Sequence, residues 1–148
     1  MRSISLTAVA LILVAAGCGG GGGPSKADYI KHADAICLDA TKKLRSLGSP
    51  STPAQVERFA AKAVPIIEDH LRQARALKPP KEVAADANRV FDNVEQAVHL
   101  VTRISSAARK NDPAQIQSLV AQAAALSARS GAAAKRVGFK ECGRATGL

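Results

Sequence analysis

Three cysteines, three histidines and their acidic neighbours are the residues of this 148-residue chain whose types and spacing bear on chemistry. His32 follows Asp28 by four residues and His99 follows Glu95 by four, so each pair shares a helix face and offers donors to a metal ion. By the apolar register both histidines point outward, and neither pair has the inward Glu-x-x-His spacing of di-iron bundles. No metal site is expected. His70 lies on an apolar face between Ile67 and Ala74, with Glu68 and Asp69 beside it, and reads as a core histidine with a satisfied ring. Exported haem bundles need a Met/His pair or Cys-x-x-Cys-His; the single methionine is Met1 and the second motif is absent. Gly-x-Ser-x-Gly is absent too, and Gly19 to Gly23 precedes no strand and contains no phosphate-loop lysine. No catalytic constellation emerges, so no enzymatic activity is expected and no cofactor is implied.

Cys18 belongs to a different chemistry. Met1 and Arg2 form a small positive region, and Ile4 to Ala16 is an apolar run broken only by Ser5 and Thr7. At about 13 residues the run is short for a membrane span and suits an export signal. It ends in Leu13-Val14-Ala15-Ala16-Gly17-Cys18. This stretch resembles the lipobox of bacterial lipoproteins. The resemblance implies diacylglycerol transfer to the Cys18 sulfur, cleavage of residues 1–17, and a lipid-anchored N-terminus on the outer face of the cell membrane. Ala15 stands where leucine is commoner, and plain secretory cleavage after Ala16 or Gly17 is the alternative. Residues 18–25 then form a glycine-rich tether, and six such residues span roughly 14 Å root-mean-square. Two acyl chains suffice for stable anchoring, at about 0.8 kcal/mol per buried methylene.

If Cys18 carries lipid, Cys37 and Cys142 remain, and an exported chain usually pairs such a couple. The segment left after cleavage, about 131 residues, is the size of one domain, assigned to residues 26–148. Alanine and other helix formers dominate, tryptophan is absent, and no alternating strand pattern appears, so the fold class is all-α. The formal charge of +9 falls to +8 without Arg2. Export argues against nucleic acid as the partner. It leaves membrane lipid through acylated Cys18, an envelope protein, or an anionic cell-wall polymer. Acids gather early in each expected helix and bases late, which complements the helix dipoles and also explains the charge as solvated helix ends.

The periodicity predicts four helices. The first runs from Lys26 to Leu47, capped by Ser25, with Ile30, Ala33, Cys37, Ala40, Leu44 and Leu47 as its seam. The second starts after Thr52, with Pro53 in first position and Gln55 completing a capping box; its seam is Ala60, Ala63, Ile67, His70, Ala74 and Leu77. Pro65 frees the carbonyl of Ala61 and predicts a kink. The third helix runs from Pro80 or Lys81 to Lys110 and has the most regular seam, Val83, Ala87, Val90, Val94, Ala97, Val101, Ile104 and Ala108, broadened by Phe91 and Val98. The fourth, capped by Asp112, runs to Val137 with Ile116, Leu119, Ala123, Leu126, Ser130, Ala133 and Val137 as its seam, and stops at Gly138. Short connections predict an up-down-up-down four-helix bundle. That topology brings the tail after the last helix beside the first and makes a Cys37–Cys142 disulfide reachable.

The stretches Asp28 to Cys37, Leu77-Lys78-Pro79-Pro80 and Gly138-Phe139-Lys140-Glu141-Cys142 resemble small uncharacterised lipoproteins of high-GC Gram-positive, actinobacterial type. The resemblance implies a helical domain with two cysteines and supplies no activity. Two functions are therefore expected. The first is a non-enzymatic, membrane-anchored module interacting with other envelope components. The second is a small-molecule-binding lipoprotein with a pocket near the Pro65 kink, lined by Phe59, His70 and Phe91.

Overall fold

The computed structural model describes residues 24–144. The expected signal segment, Cys18 and most of the glycine tether lie outside the described residues, as do residues 145–148. Four helices follow one another: α1 (Lys26–Ser46), α2 (Pro53–Ala76), α3 (Lys81–Arg109) and α4 (Pro113–Val137). They form an all-α bundle with up-down-up-down order, and no strand occurs among the described residues.

Local chemistry sets each boundary. The Ser25 hydroxyl accepts from the Asp28 amide at 3.1 Å and opens α1. Thr52 and Gln55 form a complete capping box at the start of α2. Asp112 accepts from the Gln115 amide at 2.9 Å at the start of α4, just after Asn111 has turned the chain with a φ of 51°. Pro65 sits inside α2 with the helix continuous on both sides. Gly138, at φ 99°, ends α4 in the left-handed conformation that glycine adopts without a Cβ penalty.

Packing is uneven around the bundle. α3 is the central element, lying closely against both α2 and α4, while α1 touches α2 more lightly. One apolar cluster unites all four helices and the tail through Tyr29, Ala33, Ala74, Val90, Phe91, Ala133, Val137 and Phe139. A second, at the other end, belongs to α3 and α4 alone and centres on Leu100, Ala107, Leu119 and Leu126. The fourth side, between α1 and α4, is closed near the first cluster by the tail rather than by direct helix-on-helix packing.

Asp34 holds that tail. Its carboxylate accepts from the backbone N–H groups of Lys140 at 2.9 Å, Glu141 at 2.9 Å and Cys142 at 3.0 Å. Cys142 is then bonded to Cys37, with the two Cα atoms 5.2 Å apart. Gly143 turns with φ 86° against α4, where any Cβ would collide with that of Ala134. The tail is thereby pinned to α1 on one side and packed on α4 on the other.

Tyr29 carries more of the core than the α1 seam suggests. It is 1% exposed, beside the Phe139 ring at 5.9 Å, whereas Ile30 is only half-buried. Burial pushes its hydroxyl up to about 12, and that hydroxyl has no hydrogen-bond partner. Removing an unsatisfied polar atom while keeping the ring costs no packing. Tyr29→Phe is expected to leave stability unchanged or raise it by up to about 1 kcal/mol in urea unfolding; a loss above that size would show that the hydroxyl is bonded in solution.

Candidate functional site

Where α1 and α4 part, below the tail, the bundle holds a cavity of about 340 Å³ that is partly open to solvent. Its walls come from every helix. α1 contributes Ile36, Ala40 and Leu44, and α2 contributes Ile67, His70 and Leu71. Val90, Phe91, Asn93, Val94 and Ala97 of α3 form the back, and α4 closes the far side with Ala123, Leu126, Ser127 and Ser130. Cys37, Cys142 and Gly143 form the end nearest the tail. Along α3 the lining covers two turns, roughly 10 Å.

The cause is compositional. Alanines on the facing positions, Ala40 of α1, Ala97 of α3 and Ala123 of α4, are too short to span the space beside the tail. A leucine-filled seam would close there; an alanine-lined one leaves space. Cavities of this size fall in the range of small-molecule sites, and such sites are mostly apolar with a few placed polar groups.

His70 and Phe91 line this cavity, and Phe59 does not. Phe59 is a half-buried residue of the second turn of α2, and the cavity begins at Ile67, beyond Pro65. The reason is topological: the part of α2 that carries Phe59 lies past the end of the cavity, whose extent follows the α1–α4 opening rather than the proline.

His70 is 5% exposed and fully engaged. Its Nδ1 lies 2.6 Å from the Ile66 carbonyl oxygen and its Nε2 lies 2.8 Å from Asp39 Oδ2. The ring therefore bridges α2 to α1 at the cavity wall. Asp39 is also paired with Lys43 at 2.8 Å. The hydrogen bond from His70, assisted by Lys43, lowers the Asp39 carboxyl to about 2. A carboxyl depressed on folding adds stability that is complete above its ordinary value near 3.8 and is lost as pH falls toward 2. Asp39→Asn is therefore expected to flatten the acid limb of a stability-versus-pH curve between about 4 and 2. An unchanged acid limb in the variant would remove Asp39 from the account.

Two buried polar atoms of the lining residues have no partner, the Asn93 Nδ2 and the Ser130 Oγ. The Thr41 hydroxyl, by contrast, donates to the Cys37 carbonyl at 2.9 Å. Periodicity placed Ser130 on the α4 seam. Asn93 carries no such signal, because an asparagine between Asp92 and Val94 in the middle of α3 reads as a surface residue.

The other candidate residues are dispersed. His32 and His99 are exposed, and among the described residues no three His, Cys, Asp or Glu side chains are gathered as metal ligands. Bases near helix ends meet acids on neighbouring helices: Arg136 grips Asp86 through two nitrogens at 3.0 and 2.9 Å, and Arg75 reaches Asp92 and Glu95. Exposed pairs of this kind contribute little to stability individually. The Arg136 hydrogen bonds hold the Asp86 carboxyl below its ordinary range. Leu38 and Val120 are the large exposed apolar residues among those described, and Val120 edges the cavity. No described helix is long and apolar enough to cross a membrane. Compared with protein-family models, curated proteins and solved structures, the chain matches none of them.

Proposed function

We propose that this chain is an extracytoplasmic lipoprotein, anchored through acylated Cys18, that binds an apolar small molecule between its helices without transforming it. The observation that carries the reading is the cavity of about 340 Å³, bounded by all four helices and the disulfide-bonded tail. Its apolar walls include His70 and Phe91. The anchoring rests on the Cys18 motif and the glycine tether, and the tether gives the bundle room to stand clear of headgroups.

The alternative, a docking module for another envelope component, draws less support. Partner surfaces bury contiguous apolar patches. Among the described residues the large exposed apolar side chains are few, and the unfilled apolar space lies inward.

Native mass spectrometry on the chain released from its own membrane tests the reading, followed by denaturation and a second weighing. A non-covalent mass is expected in the native state and lost on denaturation, over a covalent lipid at Cys18. Ala97 lines the cavity, and Ala121 lies exposed on the outer face of α4. Ala97→Phe is expected to remove the non-covalent mass and lower affinity for the extracted ligand by at least about tenfold, since a bulky ring takes the space. Ala121→Phe is expected to leave it in place. A bare native mass from the parent chain would sink ligand binding, and an unmodified Cys18 would sink the anchor.

A further inference from the structure

Charge is shared unequally between the two ends of the bundle. The up-down-up-down order puts the end of α1, the start of α2, the end of α3 and the start of α4 at the pole away from the tail. Residues 40–65 and 100–128 make up that half and carry eight bases and two acids. The tail half, residues 26–39, 66–99 and 129–144, carries twelve bases and ten acids. Most of the net positive charge therefore sits at the pole opposite the point where the tether enters α1.

Helix dipoles account for only part of this. Lys43, Arg45 and Arg109 lie in the last turns of α1 and α3, where cations are favoured. Arg58 and Lys62 lie in the first half of α2, whose first turn holds no acid. Ion pairing does not neutralise the pole either. Lys43 meets Asp39 at 2.8 Å and Arg109 meets Glu57 at 3.3 Å. Lys42, Arg45, Arg58, Lys62, Arg103 and Lys110 are exposed and form no ion pair among the described residues. In the tail half, by contrast, Arg136 meets Asp86, and Arg75 meets Asp92 and Glu95. α4 has no charged side chain from Pro113 to Ala128, so the bases form a band over α1, α2 and α3. The His70–Asp39 and Arg109–Glu57 contacts tie those three helices together. Like charges that nothing nearby neutralises set up a field that attracts a partner bearing many negative charges.

We infer that this distal basic band docks a flexible polyanion of the cell envelope, a polymer that repeats phosphate or carboxylate groups. Such a partner is held by charge and counterion release and needs no apolar patch. The choice of a polymer over a bilayer rests on the anchor at Cys18. Lys42 to Arg45 lie roughly 24–29 Å along α1 from Lys26, and the anchoring membrane lies beyond the tether at that other end. The Debye length at physiological salt is about 8 Å. Headgroups of that membrane are out of range of a bundle standing on its tether, whereas a polymer threading the envelope above it is within range.

The test titrates the full chain, held in nanodiscs of zwitterionic lipid, with two fluorescent polymers of equal charge number, polyphosphate and polygalacturonate. Neutral dextran is the blank. Saturable polyanion binding is expected at about 50 mM salt and should weaken at least about tenfold by about 200 mM, as release of several counterions implies. Tighter binding of one polymer identifies the repeating group as phosphate or carboxylate, and either supports the band.

Lys42→Gln, Arg58→Gln, Lys62→Gln and Arg103→Gln together remove exposed, unpaired charges and are expected to fold as the parent does. They should weaken binding at least about tenfold and flatten its salt dependence. Lys31→Gln, Lys78→Gln, Lys81→Gln and Lys135→Gln, in the tail half, change the net charge equally and should leave affinity within about twofold. Equal losses in the two variants overturn the site, since net charge alone would then attract the polymer. Absence of polyanion binding to the parent chain at the lower salt overturns it as well. Tighter binding to vesicles containing anionic lipid, lost in the distal variant, overturns the polymer and makes the band a bilayer contact. If Cys18 proves unmodified, the same titration on the chain in solution judges the band by itself. A bare native mass removes the cavity ligand and leaves the band standing, so the two readings fail separately.

Discussion

Cutting the Cys37–Cys142 bridge is expected to lower unfolding free energy by about 4–5 kcal/mol. The two cysteines are separated by 105 residues, so the bridge ties nearly the whole described chain into one loop. In the chain-entropy account the stabilisation comes from the unfolded state, whose freedom grows with the logarithm of that loop. Domains of this size carry a net stability on the order of 5–15 kcal/mol, so the loss is a large share of the total. The core gives little in compensation. Many of its fully buried residues are alanines, including Ala33, Ala63, Ala87, Ala107 and Ala133, which bury little area each. The check is urea unfolding of the Cys37→Ser/Cys142→Ser variant against the parent, comparing free energies rather than midpoints. The uncrosslinked chain exposes more surface on unfolding and has a larger m-value. A deficit under about 1 kcal/mol would show that the tail docks without its covalent tie.

Asp34→Ala is expected to cost about 2–3 kcal/mol, an unusually large effect for a half-exposed residue in the first half of a helix. One carboxylate takes three successive backbone N–H groups, those of Lys140, Glu141 and Cys142, and nothing else in the described chain replaces it. Water recovers part of the loss, since the tail lies at the surface. Asp34→Asn can keep the oxygen that accepts from Glu141 and Cys142 but turns the other head into a donor facing the Lys140 N–H, and it loses the charge, so it should recover only part of the loss. The two ties act on the same tail, so their effects should not add. Once the disulfide is gone and the tail is free to leave, Asp34→Ala is expected to cost less than in the bridged protein. Hydrogen exchange at residues 139–143 gives the direct readout: faster exchange in Asp34→Ala with the bridge intact. Unchanged protection there would mean that Asp34 merely decorates a tail held by other contacts.

These two ties also shape the candidate site. The tail is what stands between α1 and α4, and the cavity begins where it ends. Loosening the tail should therefore change access to the cavity before it changes the helices. The disulfide and Asp34 variants can be read by ligand affinity as well as by stability.

Much of the framework was legible from residue types. Ser25, the Thr52–Gln55 box, Asp112–Pro113 and Gly138 mark helix ends by local hydrogen bonding, which needs no partner distant in sequence. The steps of three and four on α2 and α4 identified most of the buried positions, because a helix with one apolar stripe has one way to hide it. On α3 the buried face is wider than the periodic stripe. Asn93, Leu100, Ser105 and Ala107 are buried as well, since this helix packs against α2 on one side and α4 on the other. Tyr29 was missed for a related reason: its neighbours at the pole are Phe139 and the tail, which no periodicity within α1 reveals.

By itself, then, the order of residues determined the number, ends and most of the faces of the helices and put Cys142 within reach of Cys37, because those depend on local hydrogen bonding, turn length and a period of 3.6. Only the tertiary structure decided that Asp34 would collect the tail, that His70 would spend both nitrogens on Asp39 and Ile66, and that Phe59 would lie outside the cavity while Asn93 and Ser130 lined it together. Those outcomes depend on how far apart α1 and α4 stand. That distance follows from the volume of side chains brought together from all four helices and the tail, a quantity that no single stretch of the chain contains.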